Sequence, residues 1–383
     1  MTGYSHAIGA AATACLVAGL CLAADADEKP EPNEKIAAMS PHSWLRIGGP
    51  PPAPKGIMAY SGGVFDSQHN VFLIFGGGHA DYWGNEVCAF DLKTLAWRKM
   101  YKPDARNRYT NDNIDNVKGK LKDSDKPYTR HSYQMLAFVP TKAQMFIWSG
   151  CGPGWGAIKP TCPAPPDAWY YDYASNKWAF VVSGGPKGYG GGTCYDGKRD
   201  VVWALPGGSW PPLWKFDVKT STWSRRPIKP DSACGMHTNL VYNARRDRIV
   251  AGAGGKGVNC YLIDPATARA EKTDTSRFKT VGHGGMVMLP DQDAALHLAG
   301  DRRLGVLDFD AKAWYPLEAP DGGPKMMGYA VYGRFNYSAI DKVALFVGPA
   351  GVYAYKPPAA FDFKALAEKS APPPPAKISP SSE

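Results

Sequence analysis

The feature that most constrains this chain is an internal repeat. Five segments join an apolar strand end, an aspartate, a short turn and a closing aromatic or its equivalent. Three are full-length: Phe90-Asp-Leu-Lys-Thr-Leu-Ala-Trp97, Tyr171-Asp-Tyr-Ala-Ser-Asn-Lys-Trp178 and Phe216-Asp-Val-Lys-Thr-Ser-Thr-Trp223. Two are degenerate, Ile263-Asp-Pro-Ala-Thr-Ala-Arg-Ala270 and Phe309-Asp-Ala-Lys-Ala-Trp314, the latter counted from Asp310. An aspartate at this place can accept hydrogen bonds from its own turn, and the next strand then buries the aromatic. Upstream of each lies an apolar run ending in glycine: 72–78, 145–150, 201–208, 248–255 and 294–300. Each unit exposes an apolar face that only a neighbouring unit can cover. With 42 Gly, 34 Pro, 12 Trp and 20 Tyr in 383 residues, the composition suits many short strands joined by turns. It argues against a helical bundle, a coiled coil or an acidic disordered chain.

This order of strand, glycine turn, strand and tryptophan resembles the kelch repeat of β-propellers over residues 42–357. The resemblance implies an all-β ring whose blades each hold four antiparallel strands. The innermost strands are expected to start near Gly62, Ser132, Gly190, His237, His283 and Gly333. The two longest intervals hold insertions, residues 102–126 and 151–166. The sixth unit, residues 332–356, runs out before its tryptophan strand. His42-Ser-Trp44-Leu-Arg-Ile47 supplies such a strand from the other end. A strand lent from the N-terminus closes the ring and hides both sheet edges. Six blades are expected, or seven if an insertion conceals one. Trp44, Trp97, Trp178, Trp223 and Trp314 then belong to blade cores.

Residues 1–26 lack Lys and Arg, carry an apolar run from Ala10 to Ala24 and end on Ala24-Asp25-Ala26. The run is short of the ~20 residues a membrane helix needs, and it suits a cleaved signal peptide. A secreted or periplasmic protein is therefore expected, a monomer with no membrane span. Residues 27–41 read as a linker, and 358–383, with Pro372 to Pro375 in a row, as a Pro-rich flexible tail. Beyond the leader stand Cys88, Cys151, Cys162, Cys194, Cys234 and Cys260. Their even number permits disulfides in an exported chain. Cys151–Cys162 and Cys234–Cys260 are the expected pairs. No C-x-x-C, P-loop, H-E-x-x-H or G-x-S-x-G occurs, so no cofactor is expected, with a structural or catalytic divalent cation as the alternative left open. The net charge of +9 favours an anionic partner. Its basic residues are scattered without interleaved aromatics, which argues against nucleic acid.

In a propeller, the loops entering the inner strands and those joining second to third strands share one face. The repeat phase therefore gathers Arg130-His131-Ser132-Tyr133, Tyr189, His237 with Asn239, His283, and Tyr332-Gly333-Arg334 around the axis. The second-to-third loop of the first unit adds His79. Four of the eight histidines, His79, His131, His237 and His283, thus take equivalent places. Trp83 and Trp155 lie in loops expected on that face, where an indole can stack on a ligand.

An exported basic propeller with His, Tyr and Arg at its mouth resembles the propeller-fold polysaccharide lyases, including the ulvan lyases. The resemblance implies β-elimination on a uronic-acid-containing acidic polysaccharide. The proton beside a uronate carboxylate is weakly acidic, so the carboxylate charge must be neutralised before that proton leaves. A neutral His or a Tyr can remove it, and Tyr or His can protonate the leaving oxygen. His131 or His237 is expected as base and Tyr189 or Tyr133 as proton donor. Arg130, Arg334 and Asn239 would hold the carboxylate, with His79, His283, Tyr332, Trp83 and Trp155 lining the pocket. Two rival readings stand beside this one. A non-catalytic kelch propeller could grip a glycan or a protein with the same residues. Galactose oxidase-like copper enzymes share the fold, but their adjacent Tyr-His pair is missing here.

Overall fold

A computed structural model of the chain describes residues 30–78, 82–152, 164–207, 212–229, 235–252, 259–280, 283–318, 320, 322–324 and 330–370. The described residues form six four-stranded antiparallel sheets and one small hairpin. An outer strand β1 (Ser43–Gly48) comes first. Blade one follows with β2 (Gly62–Asp66), β3 (Val71–Phe75), β4 (Val87–Asp91) and β5 (Ala96–Lys99). The first insertion carries the hairpin β6 (Ile114–Asp115) and β7 (Lys120–Leu121). Blade two is β8 (Leu136–Val139), β9 (Gln144–Trp148), β10 (Asp167–Asp172) and β11 (Lys177–Ser183). Blade three is β12 (Gly192–Asp196), β13 (Val201–Leu205), β14 (Leu213–Asp217) and β15 (Thr222–Arg226). Blade four is β16 (Asn239–Asn243), β17 (Arg248–Gly252), β18 (Tyr261–Ile263) and β19 (Ala270–Lys272). Blade five is β20 (Gly285–Leu289), β21 (Ala294–Leu298), β22 (Leu304–Asp308) and β23 (Ala313–Leu317).

Blade six holds β24 (Phe335–Ser338), β25 (Val343–Gly348) and β26 (Gly351–Lys356), and its fourth strand is β1. Strand β1 pairs antiparallel with β26, Trp44 opposite Tyr355, so the ring closes with a strand from the N-terminal side. The inner strands touch in cyclic order, β2 to β8, β12, β16, β20, β24 and back to β2. Six blades are the count.

The packing explains why second strands read as unbroken apolar runs. In β3, Phe72 and Ile74 pack with Val343, Leu345 and Val347 of blade six. Their neighbours Val71, Leu73 and Phe75 pack with Met145, Ile147 and Trp169 of blade two. A strand buried on both faces has no polar alternation to show, and each such side chain stabilises the ring by about 1.5–3 kcal/mol.

The turns behave as their aspartates predict. Asp91, Asp172 and Asp217 each accept from the backbone three residues on, at 2.7–2.9 Å. Asp264 does the same for Ala266 and Thr267. In blade five, however, the turn aspartate is Asp308, which accepts from Asp310 and Ala311 N–H, and Leu307 faces Trp314. The fifth repeat is therefore full-length, Leu307-Asp-Phe-Asp-Ala-Lys-Ala-Trp314, with its register set by Asp308 rather than Asp310.

The flanking segments are more structured than composition suggested. In the expected linker, helix α1 (Glu34–Ala37) buries Ile36, and Asn33 N–H donates to Asp341 at 2.7 Å. In the expected tail, helix α2 (Phe363–Lys369) follows an Asp362 N-cap and lays Phe363 and Leu366 on the blade-five core. Cys260 carries a free buried thiol, which overturns its pairing with Cys234. Cys234 and Cys162 lie outside the described residues. Among the described residues, no helix is long and apolar enough to cross a membrane.

Candidate functional site

Six entrances to inner strands converge on the axis, and aromatic and imidazole rings meet there. Tyr60 stacks on His131, with centroids 4.4 Å apart and planes 18° from parallel. His131 Nδ1 lies 3.1 Å from the Tyr133 hydroxyl. Tyr133 in turn stacks on His237 at 5.2 Å and packs against Tyr189, whose ring centroid is 5.8 Å away. His237 and His283 are 4.6 Å apart. Tyr332 stands among them, within 5.2–6.1 Å of Tyr60, Tyr133, His237 and His283. Residues contributed by all six blades, far apart in sequence, therefore form one contiguous cluster.

Backbone geometry holds the cluster together. The Tyr60 carbonyl accepts from Ser132 and Tyr133 N–H, and the Gly190 carbonyl from His237 and Thr238 N–H. The His283 carbonyl accepts from Val331 N–H, so successive entrances are tied blade to blade. Tyr133, His237 and Tyr332 have left-handed backbones, with φ of 47°, 66° and 48°. Side chains as large as these visit that region at an energetic cost, and such cost concentrates where function requires a fixed geometry. Gly190 has φ +68° at the equivalent place, and a Cβ there would stand 2.6 Å from the His237 ring.

Exposure grades the cluster. Tyr133, His131 and Tyr332 are buried, Tyr60, Tyr189 and His237 half-buried, and His283 is exposed. Burial is the main cause that pushes the Tyr133 hydroxyl far above the usual phenol range, followed by the neighbouring Tyr189. Burial also raises Tyr332. Desolvation, followed by repulsion from His283, lowers His237 to about 4. Its Nδ1 is buried with no hydrogen-bond partner among the described residues. At neutral pH the centre therefore holds a neutral imidazole beside protonated phenols, a set that can accept, relay or donate a proton.

Several expected residues lie elsewhere. Arg130 has no exposed side-chain surface and pairs with Asp167 at 2.9 Å, while also donating to the Ser149 and Gly119 carbonyls. Arg334 is fully buried and donates to the carbonyls of Ser61, Val347 and Ala330. Both guanidiniums pin entrance loops from inside, so neither is presented to a substrate carboxylate as expected. Asn239 begins β16 and is also buried, its Oδ1 without a partner among the described residues. Trp83 is half-buried under the first insertion, edge-to-face with Tyr109 and with Arg106 5.2 Å from its ring. It is thus packed into that insertion rather than held open for stacking. His79 and Trp155 lie outside the described residues. The loop leading to His79 does reach the site, because a Cβ on Gly78 would come within 2.5 Å of the His131 ring.

Tyr60 was not foreseen. Its signal was the phase of the repeat: it stands at the entrance to β2 as His237 stands at the entrance to β16. Among the described residues, no group of three or more His, Cys, Asp or Glu could hold a metal ion.

Fold and site together define a six-bladed β-propeller with a tyrosine–histidine centre at one mouth. No family model and no curated protein matches the chain. Among solved structures, 870 chains match. One is a structural-genomics protein of unknown function from Bacteroides thetaiotaomicron, with a TM-score of 0.53 and 13% identity over 82% of this chain and 75% of that one. This likeness shows the fold alone. A fold shared so widely does not select a function, so the chemistry must be argued from the mouth.

Proposed function

We propose that the axial mouth binds an acidic glycan and cleaves it at a uronate by β-elimination. The observation that carries this reading is the contiguous series Tyr189–Tyr133–His131, in which the Tyr189 ring adjoins Tyr133 and the Tyr133 hydroxyl lies 3.1 Å from His131 Nδ1, running from half-exposed to buried. In the proposed step, Tyr189 oxygen takes the proton beside the uronate carboxylate while its own proton moves through Tyr133 towards His131. The relay then returns a proton to the glycosidic oxygen as the C–O bond breaks and a C=C bond forms. One relay thus serves as base and acid, and a buried phenol that stays protonated suits the middle place. The kelch-like repeats, the predicted leader and the basic charge support an exported glycan-active protein.

A second reading, a non-catalytic glycan-binding propeller, is favoured by the inward-turned Arg130 and Arg334. A panel of acidic polysaccharides separates the two. The lyase reading expects ultraviolet absorbance from an unsaturated uronate on at least one polymer, abolished in Tyr189→Phe. Tight binding to one polymer with no such product on any would establish the binding reading instead.

A further inference from the structure

The two inward-turned arginines leave open how this mouth would meet a carboxylate. None of the cation–π contacts among the described residues involves a ring of the central cluster. What the mouth does hold is a pair of imidazoles. The His237 and His283 rings lie 4.6 Å apart, one half-buried with its Nδ1 unpartnered among the described residues and the other open to solvent.

We propose that His237 and His283 form a carboxylate subsite that becomes cationic by taking up one proton as the acidic ligand binds. This rests on the acidic-glycan reading above and adds how its charge is recognised. Three observations support it. First, His237 is positioned rather than incidental: its N–H donates to the Gly190 carbonyl at 2.6 Å, and its backbone is left-handed. Second, the groups packed around it are Tyr133, Tyr332, His283 and the Gly190 backbone, with Tyr189 adjoining and His131 beyond Tyr133. No carboxylate or fixed cation perturbs it among the described residues. Third, two imidazoles this close repel once both are charged, so a single shared proton is the favoured cationic state. A carboxylate placed between them stabilises that proton, so ligand and proton bind together. The sign follows from linkage: a ligand that prefers the protonated site binds more tightly as pH falls. The tyrosine walls limit water around the charge and strengthen the contact.

Titration calorimetry of the whole protein with a galacturonate oligomer and with its methyl ester tests this. The acid should bind more tightly by up to about tenfold per pH unit from about pH 8 towards pH 5. Measurement in buffers of different ionisation enthalpy should count about one proton taken up. The neutral ester should show neither effect, and His283→Gln, at an exposed position, should abolish both while leaving the melting temperature unchanged. Binding of the acid with no pH dependence would overturn the subsite but keep the glycan reading. If exposed Lys187 made the contact instead, Lys187→Gln alone would lose affinity. If neither oligomer bound, the reading for this polymer class would fail, and acetate would judge the pair alone. Acetate should then raise the histidine ring titration midpoints in NMR spectra. Unmoved midpoints would overturn the subsite.

Discussion

Tyr133 is the residue on which most of the site turns. It touches His131, Tyr189, His237 and Tyr332, and its hydroxyl sits between a half-exposed phenol and a buried imidazole. Tyr133→Phe keeps the ring and removes only the relay atom. On the lyase reading, turnover should fall about 10²-fold or more while the melting temperature barely moves. A rate assay paired with a thermal melt checks this, and unchanged turnover would remove Tyr133 from the relay. The histidines also shape stability. His297 is buried between Phe278 and Trp314, and burial lowers it to about 3. His237 is lowered to about 4. In the unfolded chain both titrate near 6.5, so below that pH the unfolded state binds more protons and folding is disfavoured. Stability should therefore hold above about pH 6.5 and fall towards pH 4, with the slope shallower in His297→Leu. Denaturant midpoints across that range measure it.

At the scale of the element, the turn aspartates and the buried arginines make opposite demands on the protein. Asp308→Ala removes two backbone hydrogen bonds and should cost about 1 kcal/mol. Asp310→Ala removes an exposed ion pair with Arg246 and should cost less. The reverse order in chemical denaturation would restore the shorter reading of the fifth repeat. Arg130→Met leaves Asp167 buried without its partner and should cost about 3–5 kcal/mol. If Arg130 acted only on a substrate, that variant would keep its stability and lose affinity.

These cases also show what could be read in advance. The repeat, the borrowed strand and the converging entrances were legible because Asp, Gly and Trp recur with fixed phase, and phase determines which loops share a face. The fate of Arg130 was not legible. Its partner Asp167 lies 37 residues away across an insertion, and nothing local distinguishes an inward guanidinium from an outward one. Helix α2 was hidden similarly, because its apolar residues acquire meaning only against the blade-five core.

On the scale of the whole molecule, the site depends on closure. The central cluster draws on every blade, and Tyr332 of blade six contacts Tyr60 of blade one across the seam. Arg334 spans the same seam through the Ser61 carbonyl, so the geometry of the mouth and the integrity of the ring are one property. What holds the last blade complete is β1, with Trp44 and Ile47 buried on opposite faces, one in the core shared with blade five and the other in the core shared with blade one. Removing residues 1–49 would leave blade six with three strands and expose the edge of β26. An exposed strand edge pairs with another chain, and the seam would lose the side chains that press the two blades together. The truncated protein should therefore melt at a lower temperature and form dimers or larger species, detected by size-exclusion chromatography with light scattering. Its binding to any glycan ligand should be lost as well, although β1 contributes no residue to the mouth. A truncated protein that stays monomeric with unchanged melting and binding would show that the ring closes without its borrowed strand.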